Sequence, residues 1–248
     1  LAAQERGIVA VFRAVKALLA HGYGGKPLAW TFIITGAAAP NAEERTDPTH
    51  AGVRGLAGVL AREYPQWSVR VLDLAPGWSA DVATLPAALA LPAIDAVVRD
   101  GVCYQQKLAP LHVLDRAAAP RLRESSYRAG GVYVVIGGAG GIGALWTDYM
   151  MRTYQAQVIW LGRRPLDEAI AARIAELAGH VAAPPPVYLA ADATDLVSLA
   201  AARAQVLARF GRIDGLVHAA AVLSDASLAN LDEADLRAVY ASKVDSSV

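Results

Sequence analysis

The run Val132-Tyr-Val-Val-Ile136-Gly137-Gly138-Ala139-Gly140-Gly141-Ile142-Gly143 decides the fold. Its β-branched first part reads as a buried strand, and the residues from Gly141 read as a helix ending near Tyr154. Glycines between them let the backbone turn sharply and approach a pyrophosphate. The helix that follows aims its free N–H groups and the positive end of its dipole at the same point. Glycine pairs also occur at ordinary turns, so the flanking strand and helix are what make a dinucleotide loop the specific reading. Gly137, Gly138, Ala139, Gly140, Gly141, Ile142 and Gly143 are therefore the first candidate cofactor-binding residues.

Downstream, strand-like and helix-like runs alternate: strand Val158–Leu161, helix 166–178, strand Val187–Ala190, helix Leu196–Phe210, strand Gly215–His218, and a helix from about Asp232 to the end. The first of these strands closes on Gly162-Arg163-Arg164. In a dinucleotide fold this position meets the adenosine ribose, where a carboxylate suits NAD and arginine suits the 2′-phosphate of NADPH. No carboxylate precedes Asp167, so Arg163 and Arg164 favour NADPH over plain solvation of two strand-end arginines. Ala191-Asp192-Ala193-Thr194-Asp195 follows the next strand. Asp192 and Ala193 are candidates to meet the adenine, while Asp195 reads as a helix cap. Ala219, Ala220 and Ala221, after the fourth strand, are small enough for a cofactor ribose to lie against the backbone. His218 by itself reads as a packed histidine.

Upstream, a helix over 4–20 precedes the strand Trp30–Thr35, the polar loop Asn41–Pro48, the helix Ala51–Glu63, the strand Val69–Leu74 and a short strand Val102–Leu108. Charged Arg121–Arg128 reads as a connector. The alternation predicts an α/β protein of two Rossmann-like, doubly wound parallel-sheet subdomains, residues 1–125 and 126–248. The loop Ile33-Ile-Thr-Gly-Ala-Ala-Ala39 has one glycine where a phosphate cradle needs several, so the first subdomain reads as degenerate and the second as dinucleotide-binding. Both ends read as cut inside a helical run, which makes the chain a piece of a longer polypeptide with the second subdomain truncated.

Composition narrows the function classes. Of 248 residues, 55% are hydrophobic, and 23 Lys and Arg balance 23 Asp and Glu. Such a chain has no electrostatic footprint for nucleic acid or an anionic membrane. The apolar stretch Val82–Ile94 is too short to span a bilayer. The single cysteine, Cys103, excludes an internal disulfide and fits a reducing compartment, here the cytoplasm. The histidines at 21, 50, 112, 180 and 218 have no metal-ligand spacing, and neither a nucleophile elbow nor a Walker loop is present.

With the glycine loop, Arg163, Ala-Asp-Ala-Thr and His-Ala-Ala-Ala in this order, the second half resembles a short-chain dehydrogenase/reductase. More narrowly it is similar to the catalytic subdomain of a ketoreductase domain of a modular polyketide synthase. Ile136 stands where Thr is common, a variant that resembles synthases whose acyltransferase acts in trans. In the first half, His50-Ala-Gly-Val-Arg-Gly-Leu56, Glu63 and Val69–Gly77 are similar to the segment after the reductases' Tyr-x-x-x-Lys. Thr46 and His50 stand at the Tyr and Lys positions, and neither can do that chemistry. The first half thus resembles the non-catalytic, structural subdomain of such ketoreductases.

The resemblance implies hydride transfer from NADPH to the β-keto group of an acyl chain on the phosphopantetheine arm of an acyl carrier protein. Partners would be that carrier protein and the flanking synthase domains, with no nucleic acid and no membrane. It also implies a proton-donating tyrosine, an orienting serine and a lysine. Ser242-Lys243-Val244 resembles the family's Lys-Val step, which makes Lys243 the candidate catalytic lysine, against a plain surface lysine. Serine and tyrosine are expected beyond Val248. Val222-Leu223-Ser224-Asp225 stands at the Leu-x-Asp fingerprint, so Asp225 is the candidate stereochemical residue for a B-type hydroxyl, against a loop aspartate that caps a helix. The alternatives are a non-reducing ketoreductase-like module serving as architecture, and a stand-alone reductase with an N-terminal extension.

Overall fold

The computed structural model describes residues 2–78, 95–108, 126–180 and 183–247. The chain divides into two compact units. One is Leu1–Arg116 with Asp225–Glu233, and the other is Ala117–Ser224 with Ala234–Val248. The apolar stretch Val82–Ile94 and the first part of the Arg121–Arg128 connector lie outside the described residues, as does the boundary read at 125/126.

The first unit carries a four-stranded sheet of β1 (Leu28–Thr35), β2 (Trp67–Leu74), β3 (Asp95–Arg99) and β4 (Val102–Tyr104), in that order. The first three strands are parallel, and β4 folds back antiparallel on β3 through Asp100 and Gly101, both at positive φ. Helix α1 (Ile8–Ala20) buries Ile8, Val9, Phe12 and Val15, and α2 (Ala51–Glu63) buries Val53, Leu56, Ala57 and Leu60. Each set repeats at helical spacing along one face. β1 buries only Phe32 and Ile34 because it is an edge strand, whereas β2, between neighbours, is buried almost throughout.

The strand read at Val102–Leu108 stops at Tyr104, and β3 forms over residues that had not been read as a strand. β3 ends on buried Arg99, which pairs with buried Asp73 and half-buried Glu44, both far away in sequence. The helix expected over 4–20 begins at Ile8, after a single 3-10 turn at Ala2–Glu5. The segment Asp225–Glu233 also belongs to this unit. Buried Leu228 donates its N–H to Glu63 at 2.8 Å, Lys16 Nζ donates to the carbonyl of Ala229 at 2.5 Å, and Arg13 makes two 2.8 Å bonds to Glu233.

The second unit is an all-parallel sheet of β5 (Val132–Ile136), β6 (Gln157–Gly162), β7 (Val187–Ala190) and β8 (Gly215–His218), ordered β7-β6-β5-β8. All of β5 and the inner four residues of β6 are buried, so neither strand shows the alternation of a half-exposed strand. α3 (Gly141–Tyr154), α4 (Glu168–His180) and α5 (Leu196–Phe210) connect the strands. α6 (Glu233–Ala241) follows β8. The strand order reverses between β5 and β8, the place where open α/β sheets leave a crevice at the carboxyl ends of their strands. The last helix was expected to run to the end of the chain. It stops at Ala241, and residues 242–247 form turns in which Ser246 and Ser247 donate to the carbonyls of Ser242 and Lys243. Among the described residues no helix is long and apolar enough to cross a membrane.

Candidate functional site

The glycine loop sits at the β5/β8 crevice, and each glycine answers a different steric demand. Gly137 has φ +81°, and a Cβ there would lie 2.7 Å from the backbone of Ala220, so the loops after β5 and β8 cross with no room for a side chain. Gly138 lies on the Trp160 ring of β6, where a Cβ would come within 2.1 Å of Cδ1. A Cβ on Gly143 would lie 2.6 Å from the carbonyl oxygen of Gly137, so the first turn of α3 packs directly onto the loop. Trp160 Nε1 donates to Thr147 Oγ1 at 2.8 Å, and Thr147 donates to the carbonyl of Gly143 at 2.7 Å. This buried chain locks the ring beneath the loop to the helix above it.

Gly141 differs from these, because nothing lies within 4 Å of where its Cβ would be. α3 starts there with Gly140 as its N-cap and no side chain capping it. The positive end of the helix is therefore open, and a bound phosphate is the kind of group that satisfies such N–H donors. Ile142 and Leu145 are largely exposed beside it. These features fit a dinucleotide's pyrophosphate, which needs bare backbone and an uncapped helix end together.

The two arginines after β6 are not equivalent. Arg164 is ion-paired with Asp167 at 3.2 Å, and its carbonyl accepts the hydroxyl of Tyr188 at 2.6 Å. Asp167 also accepts from the N–H of Ile170 at 2.8 Å and so caps α4. Arg163 has no hydrogen bond or ion pair among the described residues, and its charge helps hold Asp192 ionised. The larger effect on Asp192 comes from Thr194, whose N–H and hydroxyl both donate to one carboxylate oxygen and keep that group below the usual carboxylate range. Ala193 is buried in the same turn. Asp195 caps α5, accepting from the N–H groups of Val197 and Ser198.

Across the crevice, Lys243 Nζ donates to the carbonyl of Ala220 at 2.7 Å. Ala219 continues the β8 ladder by donating to Ile136, and Ala221 is exposed beyond it. His218 Nε2 and Ser246 Oγ are 2.6 Å apart, so the packed histidine has a hydroxyl partner. Lys243 was expected in a helix and instead stands in the turns after α6. Asp225 is exposed and belongs to the first unit. Arg173 of α4, to which the sequence drew no attention, donates Nη1 to the carbonyl of Ala139 in the glycine loop at 2.8 Å. A surface arginine in mid-helix carries no local signature of such a contact. No group of three or more His, Cys, Asp or Glu able to hold a metal occurs among the described residues.

Residues 131–248 match the model of the KR domain family. The chain is 44% identical over 248 residues to the polyketide synthase ThaG of Burkholderia thailandensis, covering 99% of this chain and 4% of that protein. It is 41% identical to the polyketide synthase PksM of Bacillus subtilis over 249 residues, covering 99% of this chain and 6% of that one. The chain therefore spans a small part of these relatives. Among solved structures, a keto acid-selecting NRPS module with adenylation, ketoreductase and pseudo-Asub parts superposes with a TM-score of 0.84 at 27% identity, over 98% of this chain and 21% of that one. A ketoreductase domain from the bacillaene assembly line shares the fold, with a TM-score of 0.74 at 19% identity over 96% of this chain and 54% of that one. With relatives aligned over 99% of its length and the KR pattern through its second half, this chain belongs to the ketoreductase domains of polyketide synthases.

Proposed function

We propose that the chain binds NADPH in its second unit and serves the reduction of a β-keto group on a carrier-bound polyketide intermediate to a β-hydroxyl. The observation that carries this reading is the crossing of the glycine loop and the Ala219–Ala220 backbone at the β5/β8 crevice, beside the uncapped start of α3. NADPH supplies the hydride, and a proton must reach the carbonyl oxygen to complete the alcohol. Gly137, Gly138, Ala139, Gly140, Gly141, Ile142 and Gly143 take the pyrophosphate, Arg163 the 2′-phosphate, and Asp192 with Ala193 the adenine. Arg164 serves through its backbone, because its guanidinium is engaged by Asp167. Ala219, Ala220 and Ala221 form the wall for the nicotinamide ribose. Lys243, held at the Ala220 carbonyl, presents its ammonium to that ribose and to the proton donor. Tyr240, Ser246 and Ser247 do not take the tyrosine and serine roles. Burial raises the Tyr240 phenol further above its ordinary range, and the two serine hydroxyls donate to backbone carbonyls.

The substrate is presented on the phosphopantetheine arm of an acyl carrier protein, with flanking synthase domains in the same assembly line and an acyltransferase acting in trans. Asp225 directs a B-type hydroxyl. The test is NADPH oxidation with a small β-ketoacyl thioester, followed by chiral analysis of the product. In the polypeptide that carries the serine and tyrosine expected beyond Val248, we expect turnover with NADPH in preference to NADH, and a fall of about 10²–10⁴-fold in kcat for Lys243→Ala, the range of a lost acid–base group. Unchanged turnover in that variant refutes the role of Lys243.

A further inference from the structure

We propose that Arg173 is a specificity-determining residue that reads the 2′-phosphate of NADPH, an inference that rests on the cofactor reading above. Gly138 lies on the ring of Trp160 from β6, and Ala139 packs in the cluster that holds Trp160 together with Ile170 and Leu177 of α4. The loop at 138–139 therefore stands over β6 and α4, the strand and helix on either side of Arg163 and Arg164. In a dinucleotide fold the adenosine ribose lies at the carboxyl end of this second strand. Arg173 reaches the same place from the helix side, with Nη1 on the carbonyl of Ala139 at 2.8 Å.

That bond uses one of the five N–H donors of a guanidinium. Among the described residues Arg173 has no carboxylate partner, unlike Arg164 with Asp167 at 3.2 Å or Arg152 with Asp148 at 2.8 Å. Its charge is uncompensated, and its plane is fixed at one corner by the loop. A planar fork held in this way can keep its carbonyl bond while offering a second edge to phosphate oxygens, which a lysine ammonium cannot do with the same geometry. Arg163, also without an ion-pair partner, is placed to approach from the strand side. The two arginines would grip the dianion from either side, and the difference between NADPH and NADH is that dianion alone.

The experiment is equilibrium binding of NADPH and of NADH to the protein and to its Arg173→Met and Arg173→Lys variants, followed by nucleotide fluorescence without substrate. We expect Arg173→Met to weaken NADPH roughly 10–100-fold, the scale of charge-assisted bonds lost to a phosphate, and to leave NADH within about twofold. Arg173→Lys should fall between. Arg173 is exposed, and if Arg173→Met fails to fold, the lysine variant carries the same comparison. Equal weakening of both nucleotides would reduce Arg173 to a brace for the loop and overturn the proposal, as would unchanged NADPH affinity. If the unmodified protein binds NADH as tightly as NADPH, the cofactor reading itself fails and the proposal falls with it. That outcome is read on the unmodified protein, so the two failures are told apart.

Discussion

Gly138 and Gly141 stand three residues apart in one loop, yet the fold asks opposite things of them. A methyl at Gly138 would meet the Trp160 ring at 2.1 Å. That ring is fully buried and fixed by Thr147, so it cannot step aside at low cost. Gly138→Ala should destabilise the protein by about 1–3 kcal/mol, the usual scale of overpacking, and thermal unfolding would show it as a lower Tm. A methyl at Gly141 meets nothing within 4 Å, and alanine is the better helix former by up to about 1 kcal/mol. Gly141→Ala should keep or raise Tm while weakening NADPH binding, because its methyl projects where the pyrophosphate approaches the helix. If Gly141→Ala binds NADPH as the unmodified protein does, the phosphate does not lie on the α3 terminus. Both glycines were read from the sequence as cofactor residues. Their difference was not legible there, since it depends on Trp160, which comes from the next strand.

At the scale of elements, the first sheet is closed by a buried ionic group and the second strand-helix run by an exposed one. Arg99, at the end of β3, donates to Glu44, to the carbonyls of Asp73, Val98 and Ala38, and lies 3.5 Å from the Asp73 carboxylate, whose side chain is 0% exposed. Asp73 in turn accepts from the N–H of Ala38 at 2.6 Å. Removing one partner of a buried pair leaves the other charged and unpaired, so Arg99→Met should cost about 3–5 kcal/mol in chemical denaturation. Arg13→Ala, which cuts a pair whose arginine is 54% exposed, should cost less than about 1 kcal/mol. Comparable losses would contradict this account of β3. These contacts also explain what the sequence withheld. Asp-Ala-Val-Val-Arg does not look like a buried strand until Glu44 and Asp73 are brought to its end. By contrast Val187–Ala190, Leu196–Phe210 and Gly215–His218 were legible to the residue, because local chemistry ends them: Asp195 caps α5, and Gly211 in the left-handed region closes it. The start of β5 is held by Asp214, which accepts from the N–H of Val132 at 2.8 Å and from Arg212 at 2.9 Å. The Val132 N–H first, then the arginines, hold its carboxyl below the usual range. Since its folded-state pKa is depressed, its stabilising effect is present above the ordinary value of about 3.9 and is lost as pH falls through the folded one. Asp214→Asn should flatten that acid limb in a series of melts against pH.

Among the described residues the same strand-loop arrangement occurs twice, with one copy open and the other engaged. After β5 the chain passes through the glycine loop straight into α3, with its first turn uncapped. After β1 the corresponding loop, Gly36-Ala-Ala-Ala39, runs into no helix until the turn at Pro48–His50 and α2. Its polar backbone is already engaged: the N–H of Ala38 by Asp73, and the carbonyl of Ala38 by Arg99. A Cβ on Gly36, at φ +64°, would stand 3.0 Å from Pro76, so the start of the loop is pressed against the turn after β2. The sequence announced the loss of the phosphate cradle through its missing glycines. It did not announce that the Asp73 carboxylate and the Arg99 guanidinium engage the backbone of Ala38, because both are far from the loop in the chain. A fold with one open crevice and one engaged loop should bind one NADPH per chain. Calorimetric titration of the protein should give a single class of sites with a stoichiometry of one, and Gly141→Ala should weaken that site without revealing another. A second equivalent bound by the unmodified protein would mean that the Arg99 cluster opens to admit a nucleotide. In that case Arg99→Met should abolish the second equivalent and spare the first.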